Sequence, residues 1–485
     1  MQGSQTGAAR RNAHDLHRFP FHHSPTVTPD SRYAVRHVRR LRHGPRSLQH
    51  PAFQRLMFVG LSSYLARFTD FTIIAWLVVQ ETDSPLAVGA LLFFRFISFL
   101  LLGPFVGTIA DRFPRIRMVR ASQFGIATLF FSMGALLFIG TVELWHIYLY
   151  TFLNGLLFLF DIPARRTYMS AVVGSENITA ALALDMITSN LAWFVGSNVA
   201  GALLAQTRPE YVYMALGVMG LSNILVIRTL PTLWRPREYS DREPFLASMR
   251  AGAQFSWRHK AILGVLLAVG ITNMTGFPFE SMAPVFAREF FDAGPLLFGM
   301  LLSAQGLGSL LVATLLVASG RRFRRPGLLV VGASMVQHVG SIGLTFLTNA
   351  IAGMAAFFML GGVAMVFSIM HNTFFLAATP DSMRGRVMGI QLLVIGLYPL
   401  GTLTLGALAN ELGAAQATRI TSAIGLALMT IVFLAFRDLR YPARQLGIEA
   451  GLAAAVSSRA QEHEVEAQAA ESKGQMAAEV EEKAG

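Results

Sequence analysis

The chain has 485 residues, 53% of them hydrophobic and only 14% charged, too little charge to cover a soluble surface of this size. It has no cysteine, which excludes disulfides, thiolate metal sites and cysteine nucleophiles. The net charge of +12 invites a nucleic-acid reading, but the arginines stand in short gaps between apolar runs, so no nucleic-acid partner is expected and a polytopic α-helical membrane protein is.

Residues 1–50 are polar, rich in Arg and His and nearly free of acids, with no apolar core of a secretory signal. They read as a disordered basic cytosolic extension. His22 and His23 stand among irregularly spaced histidines, and no metal or cofactor is expected. Twelve apolar runs follow, at 53–79, 86–109, 118–140, 146–164, 178–206, 211–230, 260–287, 294–319, 327–348, 350–377, 385–409 and 414–436. Each can cross a hydrocarbon core of roughly 30 Å. They fall into two groups of six, within 51–230 and 260–437. The linker 231–259, with Pro231, Pro236 and Pro244, reads as a long loop or a surface helix. The tail 438–485 turns polar and rich in Ala and Glu, as in a solvated helix or a disordered segment.

The loops after the even-numbered runs carry most of the arginines. At the opposite ends stand only Arg208, Arg288 and Arg419. The positive-inside bias therefore places both termini in the cytosol.

Sliding the chain on itself by 210 positions sets Ser84-Pro85-Leu86-x-x-Gly89-x-Leu91 on Gly294-Pro295-Leu296-x-x-Gly299-x-Leu301. Arg112, Phe113 and Arg115 fall on Arg322, Phe323 and Arg325. At offset 205, Gly196-x-x-x-x-Gly201-Ala202-Leu203 meets Gly401-x-x-x-x-Gly406-Ala407-Leu408. The two groups thus read as parallel repeats, with a substrate site between them near the bilayer midplane.

Charges inside the apolar runs point to that site, because an ionisable group at the bilayer centre costs roughly 2.5–3.5 kcal/mol and turns to a cavity or a partner. Arg67 and Asp70 lie in the first run, Arg95 in the second and Glu280 in the seventh. Asp70 and Glu280 are related by the repeat offset, so they are expected at equal depth on opposite walls. Arg95 has Gln305 as its counterpart. Arg67 and Asp70, three apart, share a helix face. Two readings stand: Arg67, Asp70 and Arg95 form a neutralising structural cluster, or Asp70 or Glu280 exchanges a proton during a transport cycle. Glu280 has no evident partner on its own helix. His338 and His371 read as packed, hydrogen-bonded residues.

The stretch Gly107-Thr-Ile-Ala-Asp111-Arg112-Phe-Pro114-Arg115 resembles the loop signature G-x-x-x-D-R-x-G-R-R/K of the major facilitator superfamily, a resemblance that covers about 50–440. Gly107, Asp111, Arg112 and Arg115 match. Pro114 replaces the second Gly and Ile116 a basic residue. Asp161-Ile-Pro163-Ala-Arg165, Ala283-Pro284-Val-Phe286-Ala and Pro380-Asp381-Ser-Met-Arg384-Gly385-Arg386-Val387 resemble the transmembrane secretion effector branch, which includes enterobactin exporters. The antiporter pattern G-P-x-x-G-G is degraded here to Gly196-Ser197-Asn198-Val199-Ala200-Gly201. Gly196, Gly201, Gly401 and Gly406 remain candidates for close helix packing.

The resemblance implies a monomeric alternating-access carrier of two pseudo-symmetric six-helix bundles in a bacterial inner membrane. It implies export of a small organic molecule, drug- or siderophore-like, in exchange for protons. It also implies that the loop at 107–117 latches the cytosolic side, while Arg384 and Arg386 either join that latch or only set topology. Uptake or facilitated diffusion of a metabolite, and a non-transporting receptor or scaffold, remain as alternatives. No P-loop, Gly-x-Ser-x-Gly or histidine metal motif is present, so no enzyme is expected.

Overall fold

The computed structural model describes residues 50–174, 177–232, 245–319, 323 and 325–442. The described residues are helical, with no strand among them. Helices α1 (Pro51–Thr82), α2 (Pro85–Arg112), α3 (Arg115–Ile139), α4 (Leu144–Val173), α5 (Ile178–Gln206) and α6 (Pro209–Arg228) come first. A short helix, α7 (Phe245–Arg258), precedes α8 (Lys260–Ile271) and α9 (Ala283–Glu289). Then follow α10 (Pro295–Ser319), α11 (Pro326–Leu344), α12 (Ala350–Ala378), α13 (Asp381–Ile395), α14 (Tyr398–Leu412) and α15 (Ala414–Ala435).

Proline opens α1, α2, α6, α10 and α11, where its missing N–H removes no helical bond and its fixed φ suits the first turn. Ser84 caps α2 by accepting from the Ala87 N–H. Gly140 closes α3 at φ 77°, a left-handed conformation that glycine adopts without strain.

Ten helical segments among the described residues are long and apolar enough to cross a membrane. The remaining long helices of the expected twelve crossings, α1 and α5, have 32 and 29 residues. Arg67 and Asp70 lower the hydropathy of α1, and Asp185, Asn190 and Asn198 that of α5.

Several expected loops are helix. The backbone of α2 continues through Gly107 and Asp111 to Arg112, so the signature stretch is the end of a helix, and only Phe113 and Pro114 break the chain before α3. The side chains of Asp111 and Arg112, like Arg321 and Arg322, lie outside the described residues. Arg384 and Arg386 stand in the first turns of α13. The seventh run, expected as one helix, is interrupted between α8 and α9 by a π turn at Thr272–Gly276 and a 3-10 turn at Pro278–Met282. Pro278 and Pro284 remove backbone donors there, and Thr272 Oγ1 adds a bond to the Ala268 carbonyl, which also accepts from the Thr272 N–H. The eleventh run breaks between α13 and α14, before Pro399.

The first six helices pack densely on one another, and α8–α15 do the same. The two sets meet chiefly where α5 lies on α10 and α2 on α14. Both contacts are backbone on backbone. A Cβ on Gly406 would stand 3.0 Å from the Gly89 Cα and 3.0 Å from the Pro85 carbonyl oxygen. A Cβ on Gly201 would stand 3.1 Å from the Gly299 Cα and 2.8 Å from the Pro295 carbonyl oxygen. Gly89 and Gly299 are repeat mates, as are Gly201 and Gly406, so one contact is built twice. Gly196 and Gly401 serve within each set: Gly196 fits against the Leu65 carbonyl of α1, and Gly401 against the Met274 carbonyl of the π turn.

A third matched pair is Gly155 and Gly361. A Cβ at either would collide with the backbone carbonyl of Arg95 or Gln305, respectively. Gly155→Ala is expected to lower the unfolding temperature in detergent, at a cost of about 1–3 kcal/mol for overpacking. Gly332→Ala in α11, with no atom near the added methyl, is expected to be neutral or stabilising by up to about 1 kcal/mol. Equal unfolding temperatures for the two variants would contradict this packing.

Candidate functional site

Asp70 is fully buried on α1 and is held from three neighbouring helices. Arg95 Nη2 of α2 donates at 3.0 Å, Tyr150 Oη of α4 at 2.5 Å and Tyr213 Oη of α6 at 3.1 Å. The two tyrosine rings meet edge to face at 6.0 Å, and the Arg95 guanidinium also lies over the Phe71 ring. The neutralising cluster read from the sequence is therefore a pair, Asp70 and Arg95. Among the described residues Arg67 makes no ion pair with Asp70; its guanidinium lies 4.6 Å from the centre of the Phe158 ring.

The same architecture recurs in the second half with weaker partners. Gln305 Nε2 of α10 donates to Glu280 Oε1 at 2.5 Å. Glu280 and Gln305 are the repeat mates of Asp70 and Arg95, so each of the two pairs that the 210-residue offset relates is hydrogen-bonded within its own half. The differences are chemical. Arg95 can only donate and matches a carboxylate acceptor. An amide can donate to a carboxylate or, turned over, accept from a carboxylic acid. Gln305 Oε1 is buried without a hydrogen bond. No tyrosine hydroxyl bonds Glu280 among the described residues, and Glu280 itself is half-buried. Its place on the 3-10 turn follows from the interrupted seventh run.

A second buried network, whose extent sequence reasoning missed, lies toward the far end of α4. Arg165 Nη1 reaches Asp185 at 3.1 Å and its Nε lies 3.5 Å from Asp161. Arg166 Nε also reaches Asp185, at 2.9 Å. Gln123 Nε2 donates to Asp161 at 3.0 Å and to Ser63 Oγ at 2.9 Å, and Asn223 joins Gln123. Asp161, Arg165 and Asp185 are all fully or nearly fully buried. The signal was available: Asp185 is an acid inside an apolar run, like Asp70. Tyr150 and Tyr213 left no comparable signal, since tyrosine is common in apolar helices.

The histidines are packed and bonded. His338 Nδ1 pairs with the Ser334 carbonyl and Nε2 with Thr275 Oγ1; His371 Nε2 lies 3.3 Å from Asn372 Nδ2, and its ring is tilted against Phe367. Asn190, Asn198, Asn273 and Asn372 each donate to a carbonyl one turn back on their own helix. At the end of the bundle where α1 turns into α2, Arg288 Nη1 of α9 bonds the Val79 carbonyl at 2.9 Å and Asp83 Oδ1 at 2.5 Å. This ties the two halves together.

The Asp70–Arg95 pair yields a direct test. Asp70→Asn leaves a buried guanidinium without its counter-charge and is expected to cost about 3–5 kcal/mol. Adding Arg95→Gln should recover a measurable part of that loss. Strictly additive losses in the double variant, read from denaturant or thermal unfolding in detergent, would show that the pair does not act as a unit.

Three comparisons bear on this geometry. Residues 45–483 match the family model of the transmembrane secretion effector. The enterobactin exporter EntS of Escherichia coli is 26% identical over 415 residues, covering 81% of this chain and 94% of that protein. The staphyloferrin A transporter of Staphylococcus aureus is 20% identical, covering 75% and 91%. Among solved structures, a peptide transporter of the POT family superposes with a TM-score of 0.62 at 14% identity, over 81% of this chain and 95% of that one.

Proposed function

Since the chain belongs to the transmembrane secretion effector family of the major facilitator superfamily, and is a multi-pass membrane transporter rather than an enzyme, we propose that it exports a small organic molecule in exchange for protons by alternating access. The observation that carries this reading is the asymmetry of the repeated carboxylates. Asp70 is fixed by a cation and two phenols. Glu280, its mate, is held by a single amide that suits either protonation state. Glu280 is the coupling acid in this scheme, and Asp70 with Arg95 the rigid wall opposite. A proton on Glu280 frees the chamber for cargo-independent return; its loss to the cytosol readies the site for the next cargo.

The units of the scheme are the six-helix bundle 51–230 and the six-helix bundle 260–437, joined by a cytosolic linker at 231–259 and making twelve crossings of a bacterial inner membrane. Arginine placement supports cytosolic termini. Then Asp83, Val79 and Arg288 lie on the outer side, and their contact closes the outer mouth. Gly107, Asp111, Arg112 and Arg115 at the α2–α3 junction, with Arg384 and Arg386 at the start of α13, form the cytosolic gate. The glycine pairs Gly89–Gly406 and Gly201–Gly299 are the surfaces about which the bundles rock. The carrier acts as a monomer. Enterobactin is the first cargo to try, given the relatives' names. Uptake is the second reading, favoured by Ser197 standing where the antiporter pattern has proline.

In vesicles of defined orientation, export of an accepted cargo is expected to accelerate with an opposing proton gradient. Glu280→Gln should abolish that response while leaving movement of cargo down its own gradient. Full gradient dependence in the variant would remove Glu280 from the coupling role. Because the chain has no cysteine, the outer closure can be tested separately. Asp83→Cys combined with Arg288→Cys, bridged by a thiol cross-linker that carries a cleavable disulfide and spans the lost arginine side chain, should stop transport and regain it with a reductant. Unimpaired transport with the pair cross-linked would overturn alternating access at this contact.

A further inference from the structure

Among the described residues of the first bundle, two interior arginines are matched to interior acids and Arg67 is not. Arg95 is bound to Asp70, and Arg165 to Asp185 and Asp161. Both arginines are almost wholly buried. Arg67 sits one turn from Asp70 on α1, and its backbone carbonyl lies 3.5 Å from Arg95 Nη2. Its side chain donates no hydrogen bond and enters no ion pair among the described residues. The acids close enough to act on it electrostatically, Asp70 and Asp161, are the ones already engaged by Arg95 and Arg165. Unlike those two arginines, Arg67 is partly exposed. An unpaired guanidinium at membrane depth is costly and is retained where it faces a cavity with work for it.

The surroundings say what that work is. The guanidinium rests on the Phe158 ring, which orients it and leaves its edge donors free. Next to it on α1, Phe68 stacks flat on Trp193 of α5, with ring centroids 5.4 Å apart. On the facing half, the repeat mate of Arg67 is Phe277, also partly exposed, with its ring edge-on to Phe367. The first half therefore offers a permanent cation with a planar fork of donors, and the matched position of the second half an aromatic ring.

We propose that Arg67 is the docking cation of the transported molecule, and that this molecule carries an anionic oxygen group, such as a carboxylate, phenolate or phosphate, on an aromatic or apolar body. The guanidinium fork matches two oxygens of such a group, and the aromatic faces take the remainder. The proposal rests on the carrier reading, but it concerns binding and is separable from proton coupling and from movement across the membrane.

The test is ligand binding to the full chain in detergent, with no gradient, read by thermal unfolding and by the fluorescence of the tryptophans. Salicylate, 1-naphthoate and phenyl phosphate are each compared with their neutral counterparts salicylamide, 1-naphthamide and phenol. At least one anion should bind about tenfold or more tightly than its neutral partner, as loss of a charge-assisted bond predicts. Arg67→Gln should erase that preference, and Arg67→Lys should keep part of it. If no anion is preferred, or if the preference survives in Arg67→Gln, the proposal is overturned, whatever the vesicle experiments on Glu280 report. Should Arg67→Gln fail to fold, the anion preference of the wild type and of Arg67→Lys decides: equal preference with the guanidinium fork lost overturns bidentate docking, and reduced preference supports it.

Discussion

The structure is governed by the cost of ionised groups where no water is available to solvate them. Asp70 shows how the cost is met. One guanidinium and two phenols, from three different helices, converge on one carboxylate. That convergence fixes α1, α2, α4 and α6 relative to each other more firmly than apolar packing alone can, because lipid tails compete for apolar contacts but not for these. The network of Asp161, Arg165 and Asp185 does the same for α4 and α5 toward their other ends. Pinned twice along its length, the first bundle is a stiff body.

The second bundle is built from the same plan with neutral partners. Gln305 stands where Arg95 stands, and Phe277 where Arg67 stands. Its seventh segment is broken by π and 3-10 turns at the level where α1 runs as an unbroken helix. Irregular turns of this kind concentrate at functional positions, and here the break carries Glu280. In the proposed cycle one half supplies fixed charge and the other a group that changes its charge, a division of labour that duplication makes accessible.

Much of this was legible in the sequence, and for identifiable reasons. The Pro-x-x-x-Gly and Gly-x-x-x-x-Gly repeats pointed to a duplication and to close helix packing, because glycine lets backbones approach closely; that Gly89 meets Gly406 and Gly201 meets Gly299 between the bundles is a three-dimensional fact that the spacing does not carry. The 210-residue offset foretold that Asp70 and Glu280 occupy matched places with Arg95 and Gln305 beside them. Helix ends were less legible. The run of charge at Asp111 and Arg112 looks like a loop, yet helix continues through it, since arginine and aspartate are tolerated in a helix once it leaves the apolar layer. Tyr150 and Tyr213 were invisible because a phenol declares its partner only in three dimensions. Asp185 was visible by the same rule that marked Asp70 and was passed over near the start of its run.

The paired glycine contacts have a consequence for how such a carrier diversifies. The bundles make their closest approaches main chain to main chain, at two places related by the internal twofold. Many side chains lining the interior between the bundles take no part in those approaches. New cargo preferences can arise by replacing those side chains one at a time, with the moving parts left intact at every intermediate step.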